Sequence, residues 1–284
     1  MIKRILVALD PDEDTTIATR FAIRLAKRFD ASLTGLAVVD ISNIHSVIGV
    51  GGYGTEIYGR YIWTEMADET RRIAEKLLQT FKAAVEKAGV RHREIKKQGA
   101  SVELIIEEMK YHDLLIVGRD SRFFYNQPDK DTQTLAKVVK GGVSPTLVVT
   151  DDYHNVESIL IAFDGSPAAA KSIKSFVHLL PYGKDVEIDL VYVAEGESIE
   201  EMDKASAILK QAEDYLKEHH FNYIEKIVLE KGKPAERILE YQIKSNPDMI
   251  VLGAHAVSAV QRAAFGSTTH HMIENTSIPL FLSP

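Results

Sequence analysis

No cysteine occurs in the 284 residues, so disulfides, thiolate nucleophiles and thiol redox sensing are all excluded. Long hydrophobic runs are missing as well. The opening MIKRILVALD is far too short for a membrane span or a signal peptide, and cytoplasmic residence is the expectation. An excess of positive charge is the third absence: Lys and Arg number 34 against 41 Asp and Glu, a net charge of −7. With no basic cluster to offset it, that balance argues against a nucleic-acid surface. The remaining composition, 45% hydrophobic and 26% charged, suits a globular chain with a buried core. A length of 284 residues predicts two domains, each able to bury its own core.

What is present is a repeat. Lys3–Asp10, KRILVALD, recurs as Glu157–Asp164, ESILIAFD, 154 residues further on. Gly35–Asp40 matches Leu190–Glu195 at nearly the same offset. Later, Gly99 answers Gly232, Gly118 answers Gly253, and Ser144-Pro145 answers Ile278-Pro279, at offsets of 133 to 135. The chain is a tandem duplication. The shorter offset places about twenty extra residues in the first half, between its second and third strands. The polar joint Thr150–Asn155 divides the chain into domains at 1–150 and 156–284.

Within the second half, apolar strands alternate with helical patterns. Strands are expected near Ser158–Asp164, Val186–Ala194, Tyr223–Glu230, Met249–Gly253 and Leu280–Ser283. Helices are expected over Pro167–Leu179, Ile199–His219, Pro234–Lys244 and Ser267–Asn275, and Ser166-Pro167 is a good start signal. Such alternation implies an α/β fold with a parallel sheet covered on both faces. Right-handed crossovers then predict two doubly wound parallel five-stranded sheets in the order 3-2-1-4-5. In that order strands 1 and 4 are neighbours at the switch point, so Asp164 and Gly253 meet at the carboxyl ends, where ligands bind.

The stretch Gly253–Thr268, GAHAVSAVQRAAFGST, carries the chemistry. A glycine at a strand end lets backbone come close to a ligand. Gly266-Ser267-Thr268 opening a helix offers free N–H groups, hydroxyls and the positive end of a helix dipole, which together make an anion site. The spacing, glycine, two residues, Ala256, nine residues, then Gly266-Ser267, resembles the nucleotide loop of the universal stress protein family. The family has a second glycine where this chain has Ala256, whose methyl penalises positive φ.

That resemblance covers both halves and implies an adenine-nucleotide alpha-hydrolase-like fold, an intramolecular pseudo-dimer, and a regulatory nucleotide-binding role in stress response. It implies that Asp164, backed by Gly165 and Ser166, lies beside the nucleoside, and that the backbone of Val193 meets the adenine edge. The ligand implied is ATP or AMP, with or without Mg. In the family, last strands pair antiparallel between two copies; here Thr146–Thr150 and Leu280–Ser283 would make that contact within one chain. Homodimers and protein partners are also implied.

Blander readings stand beside these. Asp164 could simply begin a helix, and Ser267 and Thr268 could be plain caps. Arg262 could neutralise a terminal phosphate or be a solvated loop residue. His255 and His270-His271 invite a zinc reading, but adjacent histidines face different sides of a helix and no carboxylate or thiolate stands at ligand spacing, so no metal site is expected. Glu195–Lys204 reads as a solvated helix start. A slow ATPase would need a positioned base, and no Asp or Glu stands between Gly253 and Thr268. A nucleotide-free scaffold is the third class, favoured by Ala256.

The first half departs from the pattern. Gly118 is kept, but Ser121 replaces the second glycine and Asp131-Thr132 replaces Gly-Ser. A carboxylate about 4 Å from a phosphate costs roughly 1 kcal/mol in water and about 4 at an effective dielectric of 20; Arg119 and Arg122 offset part of it. The first half is therefore expected not to bind a triphosphate. Its extra segment, near 42–62, has five glycines between Gly49 and Gly59 and lacks the lysine and hydroxyl residue of a P-loop. It reads as a surface loop or lid, or through Tyr53, Tyr58, Tyr61 and Trp63 as a partner-contact patch.

Overall fold

The computed structural model describes residues 1–11, 14–40, 55–119, 121, 123, 125, 133–150, 155–179, 182–254 and 267–284. Contacts divide the chain into two compact units, Lys3–Val138 and Met1–Ile2 with Val139–Pro284.

The N-terminal unit runs β1 (Arg4–Ala8), α1 (Asp14–Phe29), β2 (Ser32–Val39), α2 (Thr55–Ala88), β3 (His92–Gln98), α3 (Ser101–Met109) and β4 (Leu114–Gly118). Its strands lie in the order β3-β2-β1-β4, with each neighbouring pair parallel. Helix α4 (Gln133–Gly141) contains the division between the units. The 34-residue α2 begins inside the segment expected to be a loop. Residues 55–62 form its first two turns, and residues 41–54 lie outside the described residues.

The C-terminal unit continues with β5 (Thr146–Val149), β6 (Ser158–Ala162), α5 (Pro167–Leu179), β7 (Glu187–Val193), α6 (Ile199–Glu218), β8 (Ile224–Leu229), α7 (Pro234–Ser245), β9 (Met249–Gly253), α8 (Ser267–Asn275) and β10 (Leu280–Ser283). The order β8-β7-β6-β9-β10 is the expected 3-2-1-4-5. The first strands of the two repeats sit in matching registers: Ala8 faces Leu36 as Ala162 faces Val191.

Strand β5 belongs by contact to the C-terminal unit, because it pairs antiparallel with β10, Leu147 opposite Phe281 and Thr146 opposite Leu282. By contact, the units hold four and six of the strands among the described residues. The pairing is the one expected of these two segments.

Local chemistry sets the ends of the elements. Ser166 Oγ accepts the Ala169 N–H at 3.2 Å and caps α5. Asp113 Oδ2 accepts the N–H groups of Lys3 and Arg4 at 2.7 and 2.9 Å, and Asp248 Oδ2 accepts those of Glu157 and Ser158 at 2.9 and 2.8 Å. In both repeats a carboxylate just before the fourth strand satisfies the open amides of the first.

Glu213 on α6 is held between Lys217 at 2.6 Å and Lys226 of the edge strand β8 at 2.9 Å. Hydrogen bonds from these two ammonium groups push its carboxyl down to about 2. A depressed carboxyl stabilises the fold above its unfolded value and loses that contribution as pH falls through the folded one. Urea unfolding should show wild type and Glu213→Gln converging in stability between about pH 4.3 and pH 2. A gap that stays constant over that window would remove the ion pairs from the account.

Candidate functional site

The site is built at the carboxyl ends of three neighbouring strands, β7, β6 and β9. There the chain leaves the sheet in opposite directions on either side of β6, which opens a crevice. A cavity of about 260 Å³ lies in it, with Asp164, Val193, Gly253 and Thr268 on its walls. Ser166 lines it as well, so five of the residues singled out in the sequence share one cavity.

Asp164 follows β6 and is exposed to the cavity. Its Oδ1 accepts the Ser166 N–H at 2.9 Å, which fixes the side chain at the start of α5. Between them Gly165 has φ of +77°, and a Cβ there would stand 3.3 Å from Ile208 Cγ2. The positive φ is what calls for glycine, and Ile208 would have to give by a few tenths of an ångström to admit a Cβ. Gly165 supports the turn and does not itself line the cavity.

Gly253 ends β9 and lines the cavity, but its reason for being glycine differs from the one expected. A Cβ there would lie 2.6 Å from the Ala168 carbonyl carbon and 2.8 Å from Ala169 N, both α5 backbone. The close approach is between helix and strand. Thr269 Oγ1 donates to Gly253 O at 3.1 Å, and Ser172 Oγ donates to Leu252 O at 3.0 Å. These bonds tie the starts of α8 and α5 to the same strand end, so the N–H groups opening α8 are held at the cavity.

Ser267 opens α8, although its side chain lies outside the described residues. His255, Ala256, Arg262 and Gly266 lie outside them too. In the N-terminal unit Gly118 ends β4 and Ser121 is buried, whereas Arg122 and Asp131-Thr132 are not described. His270 does have a carboxylate at helical spacing, Glu274, with Nε2 to Oε1 at 3.5 Å. The described residues contain no cluster of three or more potential metal ligands.

Among the lining residues not singled out for the site, three are polar: Tyr192, Glu195 and Thr269. Tyr192 and Glu195 flank the end of β7 next to Val193, and only the strand order brings them to the crevice. The stretch Glu195–Lys204 is the solvated helix start expected of it, with Ser198 capping α6 and most side chains exposed, and its member Glu201 also braces the end of β7. Glu201 Oε1 accepts the Tyr192 hydroxyl at 3.1 Å and the Glu195 N–H at 3.0 Å. The Glu195 amide and the Tyr192 hydroxyl hold the Glu201 carboxyl below its ordinary value, while burial and that carboxylate raise the Tyr192 phenol. Lys204 bridges Glu195 at 3.0 Å and Glu201 at 3.6 Å. The mouth of the cavity thus has anchored charges of both signs.

A parallel, doubly wound α/β unit with a small-ligand cleft at its switch point is the class of protein that these features define. Comparison with known proteins takes the assignment further: the chain belongs to the universal stress protein family, whose model matches residues 1–149 and 155–284. A universal stress protein of Synechocystis is 24% identical over 98% of this chain and 99% of its own length. In fold the chain is similar to a universal stress protein from Archaeoglobus fulgidus, with a TM-score of 0.69, 18% identity, and 99% of this chain and 95% of that one covered. A Pseudomonas aeruginosa protein described as a putative universal stress protein gives a TM-score of 0.60, 16% identity, and 99% and 93% coverage. No helix among the described residues is long and apolar enough to cross a membrane.

Proposed function

We propose that the C-terminal unit holds an adenine nucleotide, ATP or AMP, and that the chain acts as a regulatory binding protein rather than a catalyst. The observation that carries this reading is the cavity over the ends of β6, β7 and β9, lined by Val193, Gly253 and Asp164 together. Its volume of about 260 Å³ lies just under the roughly 300–1,000 Å³ of small-ligand sites, which suits a nucleoside with its phosphates reaching outward. In this reading the base edge meets the main chain of Val193. Asp164 takes the ribose hydroxyls, and the phosphates lie against the N–H groups and hydroxyls of Ser267 and Thr268 at the start of α8. His255, Ala256, Arg262 and Gly266 complete the phosphate end. Asp164 and Glu195 line the cavity and one Lys204 is shared between Glu195 and Glu201, so the described charges are net negative and the phosphate end rests on helix dipole and amides, with Mg as a counter-charge.

Nucleotide then orders the loop between Gly253 and Gly266 and changes the surface offered to protein partners, including a second copy of the chain, in the cytoplasm. Titration of the full chain with ATP by equilibrium dialysis tests the reading. Saturable binding is expected, weakened at least tenfold by Asp164→Ala, because a charged hydrogen-bond acceptor is lost. No binding at millimolar ATP would favour the nucleotide-free scaffold instead.

A further inference from the structure

The N-terminal unit carries the same frame with a different filling. Leu9 N–H donates to Leu36 O at 2.9 Å, as Phe163 N–H donates to Val191 O at 2.9 Å. With the matching registers of β1 and β6, this makes Leu9 the counterpart of Phe163, Asp10 of Asp164, and Val38 of Val193. In the C-terminal unit Phe163, Asp164 and Val193 line the open cavity.

Their counterparts are engaged by the chain itself. The Tyr125 hydroxyl donates to Leu9 O at 3.0 Å and accepts the Val38 N–H at 3.2 Å. The Asp10 carboxylate accepts the Phe123 N–H, and Phe123 O in turn accepts Ser101 Oγ at 3.0 Å. Both rings are buried, Phe123 2% and Tyr125 9% exposed. Tyr125 packs on Ala37, Val39 and Ala74, with Ile73, Leu77 and Leu78 of α2 around them. Phe123 sits at φ +59°, a strained conformation for a bulky residue, which persists only where surrounding bonds dictate it. Burial pushes the Tyr125 phenol up, so the hydroxyl stays a neutral donor.

We propose that the N-terminal crevice is filled from within, the Tyr125 hydroxyl and the Phe123 amide taking the hydrogen bonds that a nucleoside would make at Leu9, Asp10 and Val38. The nature of the displaced ligand rests on the nucleotide reading of the C-terminal unit; the filling itself does not. Each chain then carries one nucleotide, and the N-terminal unit keeps its conformation whatever the nucleotide supply. The filling also differs from charge repulsion at Asp131 in what it excludes. Repulsion turns away phosphates and leaves room for adenosine, whereas a filled crevice turns away the nucleoside too.

Amide hydrogen exchange on the full chain separates these outcomes. In wild type, saturating adenosine or ATP is expected to leave Val38 unchanged while slowing exchange at Val193. Tyr125→Phe keeps the ring but removes the hydroxyl, and should speed exchange at Val38 roughly tenfold, the effect of one ordinary hydrogen bond, with Val7 in β1 unaltered. Added protection of Val38 by adenosine or ATP in wild type would overturn the proposal, as would unchanged Val38 exchange in Tyr125→Phe. If neither ligand alters Val193, the nucleotide reading fails, and the tyrosine variant still decides whether the crevice is filled from within.

Discussion

Gly253→Ala is expected to lower both the stability of the C-terminal unit and its affinity for ATP, although alanine is the smallest change available. The added methyl would lie 2.6 Å from the Ala168 carbonyl carbon and 2.8 Å from its oxygen. Those atoms are backbone in the first turn of α5, so no side-chain rotation relieves the overlap. Helix and strand must separate, and overpacking of this kind costs about 1–3 kcal/mol. The same movement displaces Asp164 and Ser166, which enter α5, from Thr268, which α8 holds against β9 through Thr269. Affinity for ATP should therefore drop more than tenfold, because groups on both walls of the cavity shift at once. Urea unfolding and ATP titration on the same sample check the two halves of the expectation. Wild-type values in both would show that α5 yields freely, and the account of why this position is glycine would then be wrong.

Gly35→Leu should strongly destabilise the N-terminal unit, even though leucine stands at the matching place, Leu190, in the other repeat. A Cβ on Gly35 would meet the Phe81 ring at 2.6, 2.7 and 2.9 Å, and Phe81 is 1% exposed. The long helix α2 crosses β2 at this point and uses the missing side chain as the space for its own aromatic. A leucine there needs the room that Phe81 fills, and a cost of about 3 kcal/mol is expected, a large share of a typical margin of about 5–15 kcal/mol. The double variant Gly35→Leu with Phe81→Ala should be less destabilised than the two single effects added together, since each relieves the other. Strict additivity in a denaturation cycle would mean that the two residues do not compete for one space.

These two glycines show why a repeat is easier to read than the differences between its copies. The strand order followed from apolar runs alternating with helical patterns, and the C-terminal element boundaries fell within about two residues of those expected, because periodicity and capping act locally. Ser166-Pro167 marked the start of α5 for the same reason. Glu201 was harder. Its neighbours are charged, and only the arrival of β7 beside α6 gives it Tyr192 and the Glu195 amide to accept from.

The amino-acid order alone determined that there are two related halves, that each alternates strand with helix, and that Asp164, Val193, Gly253 and Thr268 belong at one end of one sheet. Those are consequences of local pattern and of the limited ways in which parallel strands can be connected. Tertiary structure decided which unit β5 joins, why Gly253 and Gly35 have no side chain, and that Tyr125 reaches Leu9 and Val38 across more than eighty residues of sequence. Each of these turns on how closely distant parts of the chain approach, a distance set by packing and written in no single stretch of the chain.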